Sequence, residues 1–339
     1  MRYRKVQEVG KGTLIISLPK AWARRYGVKK GSIIAVNETA QGQLILEPVE
    51  VGGREEGPLH VVIECDRKTP QQLEWDIIGA YLLGYDAIEL ASRERMSSEV
   101  KTAIRRAVRS LAGLEIVDED SKHVLINCLV DPAAVAPKRL LVRKNAITIS
   151  MHSDAVAALV NGDRALAELV VDRDEEVDRL YFLLVRLLRT AIRDPKLAKR
   201  FGLSPVDCLD FRMAAKLIES IGDHAVDMAL LVGKLPRGSN LGALSEEISE
   251  AENSLRELQD TAIRAFLARR EQLVDQVKGI LEARFLRALE AIEGTAERLG
   301  SLSPLAFSLA SLMNEIAKCC IDIVDLVIPA GLEIGLKSS

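Results

Sequence analysis

Two pairs of carboxylates stand out by their spacing. Residues 174–178 read Asp-Glu-Glu-Val-Asp, and residues 219–230 read Glu-Ser-Ile-Gly-Asp-His-Ala-Val-Asp-Met-Ala-Leu. Asp174 precedes Asp178 by four positions, and Glu219 precedes Asp223 by four. On an α-helix that interval sets both side chains on one face, one turn apart. Like charges so placed repel, so a helix that keeps them needs a cation or a basic partner between them. Two such pairs facing each other from consecutive helices would form an oxygen-rich site for a hard metal. Asp174, Asp178, Glu219 and Asp223 are the expected ligands, with Glu175 and Asp227 behind them. Such a set suits a divalent or trivalent ion: Mg, Mn, Fe or Ca, with Zn also admitted.

The plainer account of one such pair is a solvated acidic face. The surroundings of Glu219 speak against it. Met213, Ala214, Leu217, Ile218, Ile221, Ala225, Val226 and Met228 lie around it at helical spacing, which marks a helix buried on most sides. Acids in such a helix need partners. His224 follows Asp223 directly and points elsewhere, so it is read as a packing histidine, as is His152. His60 and His123 lie on or beside predicted strands and carry no signal.

The segment Leu217-Ile-Glu-Ser-Ile-Gly-Asp-His-Ala-Val-Asp-Met-Ala229 resembles the pattern of PhoU-type phosphate-uptake regulators, Glu-x-x-x-Asp followed by His-Ala-Val. Asp174–Asp178 resembles the other half of that pattern. The resemblance spans roughly residues 135–335. It implies two three-helix repeats, a bundle able to bind metal on its surface, and a role in phosphate homeostasis.

The elements that must position these acids follow from periodicity and breakers. Helices are expected at 136–161, 164–195, 206–233, 243–269, 271–298 and 303–328. Breaks fall at Asn161-Gly162-Asp163, at Asp194-Pro195 with Gly202 to Pro205, at Pro236 to Gly238, and at Gly300 to Pro304. Aligning Ile221–Leu230 with Ile316–Asp325 sets Glu219 on Asn314, Asp223 on Lys318 and Asp227 on Asp322. An ammonium at Lys318 competes with a metal, so at most one metal site is expected, in the first repeat.

Ahead of the bundle, strands at 60–65, 86–91, 114–118 and 122–128 and helices at 69–83 and 98–112 predict a small β-α-β-α-β-β unit over 58–132. It carries no phosphate loop or nucleotide fingerprint. Its expected job is to couple its neighbours or extend a dimer interface, with a small-molecule sensing site as the alternative. Val49 to Pro58, rich in Gly and charge, reads as a linker.

Residues 1–50 read strand (3–9), strand (13–18), short helix from Pro19 to Tyr26, and a second hairpin, Ser32–Val36 with Gln43–Glu47. Residues 1–36 hold nine Lys or Arg and one acid, which leaves a net −11 on the rest of a chain of net −3. A basic head on an acidic body suits a polyanion. Lys5 to Ala23 resembles the swapped-hairpin domain of AbrB- and SpoVT-like transcription factors, in which two chains interleave into one barrel that presents basic residues to DNA. The resemblance makes Arg4, Lys5, Lys11, Arg24 and Arg25 the candidate DNA contacts, with Arg2 weaker. Gly31-Ser32 departs from the Gly-Asp often found in that family, which touches turn chemistry more than DNA binding.

The expected fold class is α+β multidomain: a swapped-hairpin β-barrel head, an α/β middle unit, and an all-α PhoU-like bundle at 135–335. Five scattered cysteines without a Cys-x-x-Cys pair, and no long apolar run, predict a cytoplasmic chain with reduced thiols and no membrane insertion. The expected function is a homodimeric, DNA-binding regulator of phosphate uptake, dimerising through its head. Its arrangement resembles archaeal fusions, and a phosphate transporter or sensor kinase is a further partner. The alternative is an adaptor restraining such a transporter or kinase without binding DNA. Metal storage or hydrolysis is a third option. No nucleophile–base pair is evident, so an enzyme is not expected.

Overall fold

A computed structural model describes residues 3–10, 12–38, 42–49 and 58–327. The chain divides into two compact units, with the boundary at Gly57 and Pro58.

In the head, β1 (Gln7–Val9) pairs antiparallel with β2 (Thr13–Ile15), and β3 (Ile33–Glu38) pairs with β4 (Leu44–Val49). The first turn needs glycine: Gly10 and Gly12 adopt φ of +69° and +96°. Between the hairpins, α1 (Lys20–Arg25) starts after Pro19 and ends before Gly27. The first two strands are shorter than the expected 3–9 and 13–18, because an isolated hairpin has no third strand or layer to hold its ends. The turn at Ala40-Gln41, Lys11 and the linker at 50–57 lie outside the described residues. No described residue of the head is buried. Leu14 and Leu44 are 69% and 65% exposed, and Val6, Ile16, Ile33 and Val36 are also open.

In the larger unit, β5 (His60–Glu64), β6 (Ala87–Ala91), β7 (Leu114–Glu119) and β8 (His123–Cys128) form one sheet in the order β5-β6-β8-β7. β5 and β6 run parallel; the other neighbours are antiparallel. Alternate residues Ile63, Ile88, Leu90, Val124 and Ile126 face a core closed by α2 (Pro70–Leu82) and α3 (Ser98–Arg109). The start of α2 is fixed by a capping box, Thr69 with Gln72. Gly84 and Gly113, at φ of +88° and +77°, turn each helix into the next strand.

The helices follow: α4 (Pro137–Asn161), α5 (Arg164–Arg193), α6 (Pro195–Phe201), α7 (Pro205–Leu231), α8 (Ser245–Ala268), α9 (Glu271–Ile280), α10 (Leu286–Ala296) and α11 (Ser303–Asp325). α4, α5 and α7 pack on one another, as do α8, α10 and α11. α7 against α11 and α4 against α8 join the two sets around one core. Gly162 and Gly202, both left-handed, end α4 and α6, and Ser204 with Asp207 caps α7. Two details differ from the expected six helices. Asp194 caps the short helix α6, where only a break was expected. A π turn, Leu281–Phe285, interrupts the expected helix 271–298.

The sheet layer and the bundle meet at α2 and α5. Arg186, 1% exposed, donates to the carbonyls of Tyr81 (2.7 Å), Tyr85 (2.9 Å) and Gly84 (3.3 Å) and to Asp86 Oδ1 (3.1 Å). These carbonyls close the C-terminal end of α2, where a helix leaves acceptors unpaired and favours a cation. Phe182 of α5 packs on the sheet core beside it. Among the described residues no helix is long and apolar enough to cross a membrane.

Candidate functional site

The expected carboxylates come together where α5 crosses α7. The crossing is close because α7 has Gly222 there: a Cβ at that position would meet Val177 Cγ1 at 3.3 Å, Asp174 Oδ1 at 3.4 Å and Thr148 Cγ2 at 3.5 Å. Asp174, Asp178, Glu219 and Asp223 fall within electrostatic reach of one another. Burial, then the neighbouring charges of Asp178, Asp223 and Glu219, push the Asp174 carboxyl up to about 6. Burial, and then Glu219, also raise Asp178 and Asp223, and Asp223 adds to the rise of Asp178. Asp174 Oδ1 is shielded from solvent and has no hydrogen-bond donor among the described residues. Asp223 lies at the open rim, and Asp227 is exposed beyond it. Glu175 turns away, toward a cleft facing α3.

The sequence reading missed the cation. Lys144 of α4 is 1% exposed, and its Nζ donates to the carbonyl of Ala215 at 2.9 Å. It also sits 4.7 Å from the centroid of the Tyr181 ring. Burial lowers its pKa from 10.5 to about 7, and Glu219, Asp178 and Asp223 oppose that fall. Lys216 adds a second ammonium, 2.7 Å from Glu219 Oε2, an ion pair without hydrogen-bond alignment. A signal was present: Lys144, Asn145, Thr148 and His152 fall on the buried stripe that carries Leu141, Met151 and Ala155.

The donor chemistry suits a hard cation. Among the described residues no three His, Cys, Asp or Glu side chains converge as metal ligands do. Two lysines, Lys144 and Lys216, stand beside the acidic cluster. On α11, at the corresponding position, Lys318 pairs with Glu315 at 2.6 Å.

The histidines divide. His152 is fully buried, with Nδ1 3.0 and 3.1 Å from the Glu252 oxygens and Nε2 3.0 Å from Gln259 Oε1. Gln259 in turn donates to Asn145 and Thr148, so this network pins α4 to α8. His224 Nδ1 is buried without a partner among the described residues. His60 and His123 both pair with Glu89, at 3.0 and 3.1 Å, on the sheet face opposite the helices.

In the head, Arg4, Lys5, Arg24 and Arg25 are exposed, and none makes an ion pair with a described residue. Arg24 and Arg25 occupy the last turn of α1. Lys11 and Arg2 lie outside the described residues.

Comparison with known proteins falls on the same two regions. Residues 141–232, which span most of α4 and all of α5 to α7, match the model of the PhoU domain. Residues 9–53 match that of the antidote-toxin recognition MazE, bacterial antitoxin. A phosphate-specific transport system accessory protein PhoU homolog of Rhizobium meliloti (strain 1021) is 26% identical over 160 residues, 44% of this chain. The chain spans 64% of that relative's length. The crystal structure of PhoU from Pseudomonas aeruginosa superposes with a TM-score of 0.42 at 17% identity, over 57% of this chain and 93% of that one.

Proposed function

We propose, for a chain that carries a PhoU domain behind a MazE/AbrB-like N-terminal domain, that it is a DNA-binding regulator of phosphate uptake that works as a homodimer. The observation that carries this reading is the head itself. Its hairpins leave their apolar side chains uncovered, while Arg4, Lys5, Arg24 and Arg25 stand exposed and make no ion pair with a described residue. A unit with no buried residue among those described gains its core from a second copy, which leaves the basic residues free for phosphates. Arg4, Lys5, Lys11, Arg24 and Arg25 are the proposed contacts. The bundle is the sensing part. A metal at Asp174, Asp178, Glu219 and Asp223, one at most, has to displace the Lys144 ammonium and draw the carboxylates together.

Fluorescence anisotropy with DNA from upstream of phosphate-transport genes tests this reading, against a scrambled duplex at low and physiological salt. Tight binding that prefers the upstream DNA and weakens with salt supports it. Absence of binding at either salt refutes it. The second reading, an adaptor that restrains a phosphate transporter or its sensor kinase, is favoured by the name of the matched relative, an accessory protein of a phosphate-specific transport system. That reading assigns the head to dimerisation alone. Neither reading assigns a reaction to the chain.

A further inference from the structure

The cleft between α3 and α5 lies outside the DNA reading and shares only Asp178 with the carboxylate cluster. α3 is sharply two-sided. Ala103, Ile104, Ala107 and Val108 are buried in the core beneath the sheet. Thr102, Arg105, Arg106 and Arg109, at i, i+3, i+4 and i+7, form the opposite stripe. That stripe, with Ser110 at its end, makes one wall of a cleft of about 540 Å³. Glu175, Asp178 and Arg179 of α5 make the other.

Charge in this cleft is balanced in number but not paired: Arg109 and Arg179 share it with Glu175 and Asp178 and form no ion pair with them. Arg105 and Arg106 have carboxylate partners, Glu119 at 3.0 Å and Glu74 at 2.9 Å. Arg109 and Arg179 make no ion pair or hydrogen bond with any described residue. Glu175 precedes Arg179 by four residues, the favourable order for a pair on a helix, yet the two do not meet. Two uncommitted guanidinium groups facing one space are a donor set for a tetrahedral oxyanion, which arginine grips through two parallel N–H bonds. The hydroxyls of Thr102 and Ser110 beside them donate to the carbonyls of Ser98 and Ala107. The volume lies within the range of small-molecule sites, about 300–1,000 Å³.

We propose that this cleft binds a small phosphate-bearing anion, held by Arg109 and Arg179. Glu175 and Asp178 shape the choice. They repel an anion whose charge is spread over its whole surface. They accept one charged at a single end, such as a phosphate ester, or one that arrives with a divalent cation. The ligand would bridge the sheet layer and the bundle. The proposal depends on neither DNA binding nor a metal held by the bundle.

Isothermal titration calorimetry of the full chain, without DNA, tests it. The probes are inorganic phosphate, pyrophosphate and ATP, each with and without Mg²⁺, with sulfate as the control. At least one phosphate compound is expected to bind with a Kd below about 1 mM. Dependence on Mg²⁺ separates a chelated ligand from a bare one, and the preferred probe separates free phosphate from its esters. Arg109→Ala with Arg179→Ala weakens that binding at least tenfold, while Arg139→Ala, an exposed arginine outside the cleft, leaves it unchanged. Should the double variant misfold by circular dichroism, Arg109→Lys and Arg179→Lys keep the charge and lose the two-point grip, and each weakens binding severalfold. Absence of binding by all three probes, equal binding of sulfate, or unchanged affinity in the cleft variants would overturn the proposal.

Discussion

Replacing Asp174 by Asn is predicted to make the larger unit more stable, and only where the carboxyl would be ionised. Its folded pKa is raised from 3.8 to about 6 by burial and by Asp178, Asp223 and Glu219. The fold therefore holds a proton that the unfolded chain has lost between those two values, so this residue costs stability as pH rises from 3.8 through about 6. A shift of that size corresponds to about 3 kcal/mol. Asp174 keeps some contact with solvent, which screens the repulsion and reduces the expected effect to about 1–2 kcal/mol. Asn preserves the shape that fits against Gly222. Thermal unfolding followed by circular dichroism, with a chelator present so that no cation competes, should raise the midpoint by about 2–6 °C at pH 8. At pH 3.5 the two proteins should melt together. A midpoint at pH 8 equal to or below that of the unaltered protein would refute the reasoning, as would a gain independent of pH.

Other perturbations probe the remaining contacts. Lys144 stays neutral in the fold above about pH 7 while the unfolded chain keeps its proton up to 10.5. Stability should therefore climb over that window by up to ~1.4 kcal/mol per pH unit. Lys144→Met should flatten the climb in denaturant titrations at pH 7.5 and 9.5. Arg186→Met strips the partners from the carbonyls at the end of α2. It should cost about 2–4 kcal/mol and split one calorimetric transition into separate melting of the sheet layer and the bundle. Gly222→Val adds bulk where a Cβ alone already meets Val177 at 3.3 Å. A loss of about 1–3 kcal/mol in chemical denaturation is expected. Arg24→Glu with Arg25→Glu should lower DNA affinity at least tenfold in the anisotropy assay and leave the sedimentation coefficient of the free protein unchanged.

Much of the fold was legible because its punctuation is local. Thr69, Asp163 and Ser204 cap helices through their own side chains, and Gly84, Gly113, Gly162 and Gly202 take up the left-handed conformation that ends them. The β-α-β-α-β-β order of the middle unit follows from such signals. The carboxylate pairs were legible for the same reason, since four-residue spacing is a property of one helix. Lys144 was not, because its burial is decided by α5 and α7 packing over it. Nor was the pairing of His60 and His123 through Glu89, which depends on the register of three strands. The arginine cleft requires α3 to face α5, nearly seventy residues away in sequence, and no periodicity encodes that meeting. α6 is a different miss: Asp194-Pro195 is a helix start as well as a break, and only the second sense was read.

The three polar features of the larger unit share one element. Along α5, Asp174 and Asp178 meet α7, Glu175 and Arg179 face the cleft, and Arg186 closes the end of α2. From Asp178 to Arg186 is eight residues, about 12 Å along the axis, or little more than two turns. A helix segment so short and so well packed does not bend between these points. A change in charge at the carboxylates that shifts α5 against α7 must therefore also shift the Arg186 guanidinium against the carbonyls of Tyr81, Gly84 and Tyr85. Those bonds are directional and buried, so the sheet layer follows the helix rather than letting them break. A ligand in the proposed cleft between α3 and α5 would act on the same helix, beside Asp178, which lines both places. If a ligand there and a charge change at the carboxylates both displace this helix, each alters the affinity of the other by the same factor.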